Sequence, residues 1–136
     1  MIRITENRLT AIFAHCLSGL PYEACGLISA KDPGSEDILG WYPTENVANS
    51  ARYYTIDPKG YLMADKDAES RGEAIVGVVH SHTHSDPYPS PTDVLQAPDS
   101  TWHYIIVSLR HTFPMLRSFR IESGNIQEER VVVIKK

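Results

Sequence analysis

The sequence predicts an α/β fold in which a mixed β-sheet is flanked by helices. One reason is that short apolar runs suited to strands are interspersed with segments whose apolar residues recur at helical spacing. A second is the run EAIVGVVHSH, which stays apolar on both faces until its end, as in a central strand covered on both sides. The length of 136 residues, 42% of them hydrophobic and 22% charged, suits one domain spanning residues 1–136.

The first 56 residues predict one helix and three strands. Apolar residues recur at i, i+3, i+4, i+7 and i+8 from Leu9, which predicts a helix over about residues 5–18, ended by Gly19 and Pro21. The segments ACGLISA, DILGWYP and ARYYTI are expected to be strands, with the turn DPGSED between the first two.

The rest of the chain predicts a second long helix, a central strand, a short helix and three more strands. Asp57 followed by Pro58 is typical of a helix start, and we expect this helix to reach about Arg71, before Gly72. The run EAIVGVVHSH then forms the central strand, and SPTD begins the short helix. The segments HYIIVSL, MLRSFRI and IQEERVVVIK are expected to be the last strands, with ESGN as the turn between the final two.

Composition excludes several classes of function. The net charge of −4 without a basic block argues against binding nucleic acid, and no apolar run approaches the ~20 residues of a membrane span. The start of the chain lacks a secretory signal, so a cytoplasmic protein is expected. Cys16 and Cys25 are expected to be small buried side chains rather than a disulfide framework.

Two histidines at the end of the central strand predict a metal site. His80 and His82 are two residues apart, so both imidazoles leave the same face of the strand, about 6.6 Å apart at the backbone. Side chains from such positions can converge on one zinc ion with bonds of about 2.0–2.1 Å. Asp93, in the first turn of the short helix, would complete a set of ligands that leaves a fourth position for water, as in catalytic zinc sites. On its own, the segment Ser90–Asp93 is also an ordinary helix start.

A zinc-bound water also needs a carboxylate base that is not a ligand. Among the 17 acidic residues, Glu23 stands out because it lies immediately before a predicted buried strand. An ordinary solvated loop acid is the alternative for this residue.

These residues together resemble the signature of the JAMM (MPN+) metalloproteases. Glu23 lies in the segment PYEACGL, and His80, Ser81 and His82 are followed seven residues later by Ser90, Pro91, Thr92 and Asp93, which fits the family pattern H-x-H-x7-S-x2-D without insertion or deletion. The leading helix, YPTENVANSARYYTIDP and HYIIVSLR also resemble the small stand-alone bacterial members. The resemblance implies the JAMM/MPN architecture, which is similar to that of cytidine deaminases.

The resemblance also implies roles for individual residues. His80, His82 and Asp93 would bind zinc, Glu23 would hold and deprotonate the water, and Ser90 would donate a hydrogen bond to the developing oxyanion. The Ser90 hydroxyl can accept a backbone N–H at the helix cap while donating outward, so the two roles are compatible.

The small bacterial members also imply a substrate. It would be a ubiquitin-like sulfur carrier protein with a C-terminal Gly-Gly, cleaved after the last glycine to release cysteine for cysteine biosynthesis. A general isopeptidase for ubiquitin-like modifiers is the alternative.

Three further residues are expected near the substrate. His84 extends the histidine run but lies outside the family pattern, so we expect a loop residue beside the substrate rather than a ligand. Tyr88 would pack on the substrate tail or on its own loop, whose prolines make it stiff. Asn46 belongs to the segment Asn46–Tyr54, which we expect to form one wall of a channel for the tail.

Other classes fit the sequence less well. Zinc nucleobase deaminases need H-x-E and a later P-C-x-x-C, and the chain has neither. A cysteine hydrolase would use Cys25, which opens an apolar strand without an electropositive setting. A non-catalytic scaffold of the same fold would lack some of the ligands that are present here.

Overall fold

The structure, a computed structural model, describes residues 1–135. Helices and strands follow one another in the order β1 Ile2–Thr5, α1 Glu6–Ser18, β2 Cys25–Ala30, β3 Gly40–Thr44, α2 Pro58–Ser70, β4 Ala74–His82, α3 Pro91–Leu95, β5 His103–Ser108, β6 Met115–Glu122, β7 Asn125–Glu129 and β8 Val131–Ile134. The predicted α/β fold with a mixed sheet is confirmed.

The main sheet has six strands in the order β3-β2-β4-β5-β6-β7. Only the central pair, β4 and β5, is parallel, and the remaining neighbours are antiparallel. Strand β4 is therefore an interior strand of the sheet, as predicted. Its C-terminal end carries His80 and His82, so these residues start from the most constrained strand of the fold.

The two long helices pack on opposite faces of this sheet. Successive residues of β5 alternate between two apolar clusters, with Ile105 in one and Ile106 in the other. Residues of α1, such as Ile12, belong to the first cluster, and residues of α2, such as Ala64, belong to the second. Gly77 allows β4 to approach β5 closely, since a Cβ at this position would collide with the carbonyl oxygen of His103.

The helix starts follow their capping residues. The Thr5 side chain accepts a hydrogen bond from the backbone N–H of Arg8 at the start of α1. Asp57 accepts from the N–H of Lys59 at the start of α2, where Pro58 takes the first helical position. These local signals explain why both predicted helices have nearly the predicted bounds.

Two expectations about strands were wrong, and one strand was not predicted. The segment ARYYTI is not a strand, and only Ile56 forms an isolated bridge, with Asn46. The C-terminal run IQEERVVVIK is broken at Arg130 into β7 and β8. Strand β1, which the sequence did not predict, pairs in parallel with β8 in a separate two-stranded sheet.

Both cysteines are buried and free, as expected for small apolar side chains. Burial raises the pKa of the Cys16 thiol to about 12 and that of the Cys25 thiol to about 11. Neither thiol is therefore available as a thiolate nucleophile near neutral pH. Within residues 1–135, the helices are too short or too polar to cross a membrane.

Candidate metal centre and catalytic site

Two imidazoles and two carboxylates meet where strand β4 ends. His80 is 2% exposed, Glu23 and His82 are each 4% exposed, and Asp93 is 8% exposed. Glu23, His80 and His82 each have one possible metal-ligating atom that lies within 4.8 Å of those of the other two residues. Four ionisable side chains at such burial need compensating partners, because an unpaired buried charge is costly.

Asp93 faces both histidines. Its Oδ2 atom is 3.0 Å from Nε2 of His82, and its Oδ1 atom is 3.5 Å from Nε2 of His80. Ligand atoms of a tetrahedral zinc ion with bonds of about 2.0–2.1 Å lie about 3.3 Å apart. The two measured separations, which involve different oxygens of Asp93, are close to this spacing, so the carboxylate lies within reach of an ion bound to the histidines.

A backbone carbonyl fixes the orientation of the His82 ring. The ring places Nδ1 2.8 Å from the carbonyl oxygen of Asp86, which can only accept, so Nδ1 carries the proton of the bond. In the neutral imidazole, Nε2 then presents its lone pair towards Asp93, which is the form a metal requires. In the protonated imidazolium, Nε2 instead donates a hydrogen bond to Asp93. Burial lowers the pKa of His82, but this hydrogen bond and the one to Asp86 outweigh the effect of burial, so the pKa is raised. Burial raises the pKa of Asp93, but the hydrogen bond with His82 and the charge of His80 outweigh it, so that pKa is lowered.

The fourth side chain, Glu23, leaves a polar gap. Its Oε1 atom is 3.4 Å from Nδ1 of His80, and these are the two buried side-chain polar atoms of residues 1–135 without a hydrogen-bond partner. Buried polar atoms without a partner are rare in folded proteins. Together with the spacing around Asp93, the unpartnered pair fits a site that holds a metal ion and its water.

The loop of Glu23 is fixed by hydrogen bonds from two sides. Ser81, between the two histidines, donates its backbone N–H to the carbonyl of Ala24 and accepts the Ala24 N–H on its hydroxyl, at 3.0 and 2.8 Å. The Asn46 side chain donates to the carbonyl of Glu23 at 2.9 Å. Glu23 is therefore held against β4 by its own backbone, which explains how a loop acid stays buried.

Ser90 caps the short helix α3 and couples to Asp93. The Ser90 hydroxyl accepts the backbone N–H of Asp93 at 3.1 Å, and Oδ2 of Asp93 accepts the backbone N–H of Ser90 at 2.8 Å. This capping box holds Asp93 in the orientation that faces the histidines. The hydroxyl hydrogen of Ser90 is not used by the cap, so it is free to donate to a group bound beside Glu23.

A cleft of about 530 Å³ reaches this centre. We call it the main cleft, and it is lined by Glu23, Arg52, His82, Thr83, His84 and Ser90, with Ala51 and Ser85. The exposed His84 is thus placed at the cleft, with Nδ1 2.9 Å from the Thr83 hydroxyl. It lies outside the cluster of buried side chains.

Tyr88 and Asn46 do not line the main cleft. Tyr88 packs edge-on against Phe119 at 5.6 Å and lines another cavity with Pro87 and Met115. Asn46 is 8% exposed and uses its side chain on the protein backbone. Contact of either residue with substrate stays a prediction.

Tyr54, the last residue of the expected wall Asn46–Tyr54, has a contact with the site that the sequence did not predict. Its ring stacks on His80, with centroids 4.4 Å apart and planes inclined by 22°. Tyr54 also lines a second cavity of about 290 Å³, which we call the aromatic groove after Tyr54, Tyr61, Trp102 and Tyr104. The segment ARYYTI predicted a strand, and no periodicity in it points to this stacking.

Comparison with known proteins agrees with this geometry. Residues 5–122 match the family described as prokaryotic homologs of the JAB domain. The chain is 34% identical over 134 residues to the CysO-cysteine peptidase of Mycobacterium tuberculosis, covering 98% of this chain and 91% of that protein. It is also 35% identical over 117 residues to the desampylase of Haloferax volcanii, covering 77% of this chain and 84% of that protein.

The fold agrees as well. The crystal structure of AF2198, a JAB1/MPN domain protein from Archaeoglobus fulgidus, superposes with a TM-score of 0.64 at 17% identity, over 98% of this chain and 97% of that one. With a family match over most of its length and near-complete alignment to a relative, the chain belongs to the prokaryotic homologs of the JAB domain, the JAMM/MPN hydrolases.

Proposed function

We propose that the protein is a zinc-dependent hydrolase that cleaves the amide bond after the C-terminal glycine of a small ubiquitin-like sulfur carrier protein and releases cysteine. The main support for this proposal is the buried cluster of Glu23, His80, His82 and Asp93 at the main cleft. The similarity to a CysO-cysteine peptidase along nearly the whole chain supports the substrate. Such a reaction would serve cysteine biosynthesis in the cytoplasm.

His80, His82 and Asp93 would hold the zinc ion. When bound there, zinc would supply Lewis-acid activation of water at neutral pH. The hydrogen bond from His82 to the Asp86 carbonyl would keep that ring in the tautomer needed for binding. The capping box of Ser90 would hold the Asp93 carboxylate in the orientation that faces the histidines.

Glu23 would act as the general base and then as the general acid. Its Oε1 atom has no other partner among residues 1–135, so it can take the proton of the attacking water and deliver it to the departing amine. Ser90 would donate its free hydroxyl hydrogen to the oxygen of the scissile carbonyl as negative charge develops there.

The carrier's tail would lie in the aromatic groove. The groove borders the centre at Tyr54, whose ring lines the groove and stacks on His80. An extended Gly-Gly tail has no side chains, so it would fit against the aromatic rings of this groove. In this arrangement the tail would contact Tyr54, the last residue of the segment Asn46–Tyr54 that was expected to line its channel.

An isopeptidase acting on modified proteins is the second candidate. It is favoured by the 35% identity with a desampylase. The two candidates differ in the leaving group, which is a free amino acid in one and a lysine side chain of a protein in the other.

A direct comparison of substrates tests the proposal. Purified zinc-loaded protein is offered the CysO–cysteine adduct and the same carrier joined to a lysine side chain, and release of the carrier is followed by mass spectrometry. We expect chelator-sensitive cleavage of the cysteine adduct. Cleavage of the isopeptide alone would leave the second candidate, and a protein that binds no stoichiometric zinc and cleaves neither would be a scaffold.

A further inference from the structure

The main cleft carries a positive charge that the proposed mechanism does not use. Arg52 lines the cleft beside Glu23 and Ser90, and its side chain is exposed. Within residues 1–135, no carboxylate forms an ion pair with its guanidinium, whereas Arg3, Arg71 and Arg110 each pair with an aspartate. Glu23 is the one acid among the cleft residues, and its carboxylate points to the histidines.

The backbone around Arg52 is fixed to the catalytic residues. The carbonyl of Ser50 accepts the N–H of Glu23 at 2.8 Å, and the carbonyl of Ala51 accepts the hydroxyl of Thr83 at 3.2 Å. The N–H of Arg52 in turn donates to the hydroxyl of Ser50 at 3.0 Å. Arg52 thus follows a short segment that joins the loop of the base to the residue after His82.

The leaving group of the proposed reaction contains a negatively charged group that the Arg52 side chain could bind. In an amide formed with a free amino acid, the α-carboxylate is separated from the scissile nitrogen by a single carbon. A group that recognises it must therefore lie next to the catalytic centre, on the side of the departing amine. In a lysine isopeptide, the scissile nitrogen is followed by an uncharged methylene chain, and no carboxylate lies near it.

We infer that Arg52 binds the α-carboxylate of the departing amino acid and makes the protein selective for carriers extended by one free amino acid over isopeptides. The inference rests on the proposed function and adds the residue that selects the leaving group. The planar guanidinium can donate two parallel hydrogen bonds to a carboxylate. Its exposed position at the mouth of the cleft leaves it hydrated, so the selectivity is about tenfold, at the lower end of what charged hydrogen bonds provide.

The test uses two adducts that differ only in this group. CysO–cysteine has a free α-carboxylate, and CysO–cysteinamide has a carboxamide in its place. We measure kcat and KM for both adducts with the zinc-loaded wild type, Arg52→Gln, Arg52→Lys and the control Arg117→Gln, which changes an exposed arginine on β6.

We expect the wild type and R117Q to prefer the carboxylate about tenfold in kcat/KM, mainly through KM. The preference falls to near one in R52Q and is partly kept in R52K. Calorimetry gives a second readout without turnover: E23Q binds the carboxylate adduct more tightly than the amide, and E23Q/R52Q binds both equally.

The possible results distinguish a failure of the Arg52 role from a failure of the proposed hydrolase function. If the wild type cleaves both adducts equally well, or if R52Q keeps the preference in kinetics and calorimetry, the role of Arg52 is refuted and the hydrolase stands. A wild type that cleaves neither adduct refutes the proposed function together with the role of Arg52.

Discussion

At the level of single residues, His80 would bind the metal through Nε2, the atom that faces Asp93. Zinc that binds the folded chain with little affinity for the unfolded one stabilises it by about 2.7 kcal/mol at one hundred times the dissociation constant. We expect such a gain for the wild type and its loss in His80→Ala, measured by urea unfolding in buffered zinc. His84→Ala is the matched control, because it removes an exposed imidazole near the same centre. Equal zinc stabilisation of H80A and wild type would place the ligands elsewhere.

A substitution of Glu23 should distinguish metal binding from turnover. Glu23→Gln keeps the shape and removes the basic oxygen, so it should retain stoichiometric zinc while kcat falls by at least about 100-fold. Metal content by mass spectrometry and steady-state kinetics on the same preparation check both parts. An E23Q protein with near wild-type kcat would show that another group takes the proton.

The Ser90 hydroxyl caps α3 and is proposed to donate to the oxyanion as well. Ser90→Ala removes the cap, which costs about 1 kcal/mol, and removes the oxyanion donor, which lowers kcat by about 10²–10³-fold. Ser90→Thr keeps the hydroxyl and should retain most of both. Urea unfolding and kinetics on the two variants check this, and an S90A protein that loses stability but not kcat would limit Ser90 to the cap.

At the level of elements, the loop after β3 is organised by the side chain of Asn46. It donates to the carbonyls of Glu23 and Tyr53 and accepts the N–H groups of Ala48 and Thr55, at 2.9 to 3.1 Å. Asn46→Asp keeps the accepting oxygen and loses the donating amide, which leaves the buried carbonyl of Glu23 without this partner at about 1–3 kcal/mol.

The expected result for N46D is a loss of both stability and kcat, because the freed carbonyl belongs to the residue that carries the base. Circular dichroism melting and kinetics measure the two effects. The exposed neighbour Asn49 provides the control substitution, Asn49→Asp. A stable N46D with a raised KM alone would favour the predicted contact of Asn46 with substrate.

The same loop shows why one strand was predicted wrongly. ARYYTI has the composition of a strand, but the backbone N–H of Thr55 bonds to a side chain rather than to a neighbouring strand. Propensity therefore indicates an extended chain here without saying what pairs with it. Strand β1 was missed for the opposite reason, since four residues beside a helix carry little signal and their partner β8 lies at the far end of the chain.

The site was more predictable than these edges of the fold. The spacing of His80, His82, Ser90 and Asp93 is local, and the alternation of a strand and the chemistry of a helix cap place these residues from sequence alone. The segment Asn46–Tyr54 was predicted to lie beside the substrate, but the individual contacts of Arg52 and Tyr54 depend on side chains from several elements and were not predicted.

At the level of the whole molecule, Glu129 ties β7 to the centre of the sheet and gives stability a dependence on pH. Its carboxylate lies 2.6 Å from Nδ1 of the buried His103 and accepts the Ser118 hydroxyl at 2.7 Å. Burial raises the pKa of Glu129, but the hydrogen bond and charge of His103, with the other donors, outweigh this effect and lower that pKa from 4.5 to about 2.

A carboxyl group whose pKa is lower in the folded state binds fewer protons there than in the unfolded chain. Its contribution to stability is therefore complete above about pH 4.5 and is lost as the pH falls towards 2. We expect the free energy of unfolding of Glu129→Gln to change less between pH 5 and 2 than that of the wild type, in chelator-containing urea titrations. Glu128→Gln, at an exposed position, should follow the wild type, and parallel curves for E129Q and wild type would contradict this role.

The proposed reacting groups come from three separate places in the chain: the loop before β2, the end of β4 and the first turn of α3. None of these segments holds a complete hydrolytic apparatus. A nascent or partly unfolded chain is therefore harmless to other amide bonds in its surroundings, and hydrolysis begins only when the whole tertiary structure has formed.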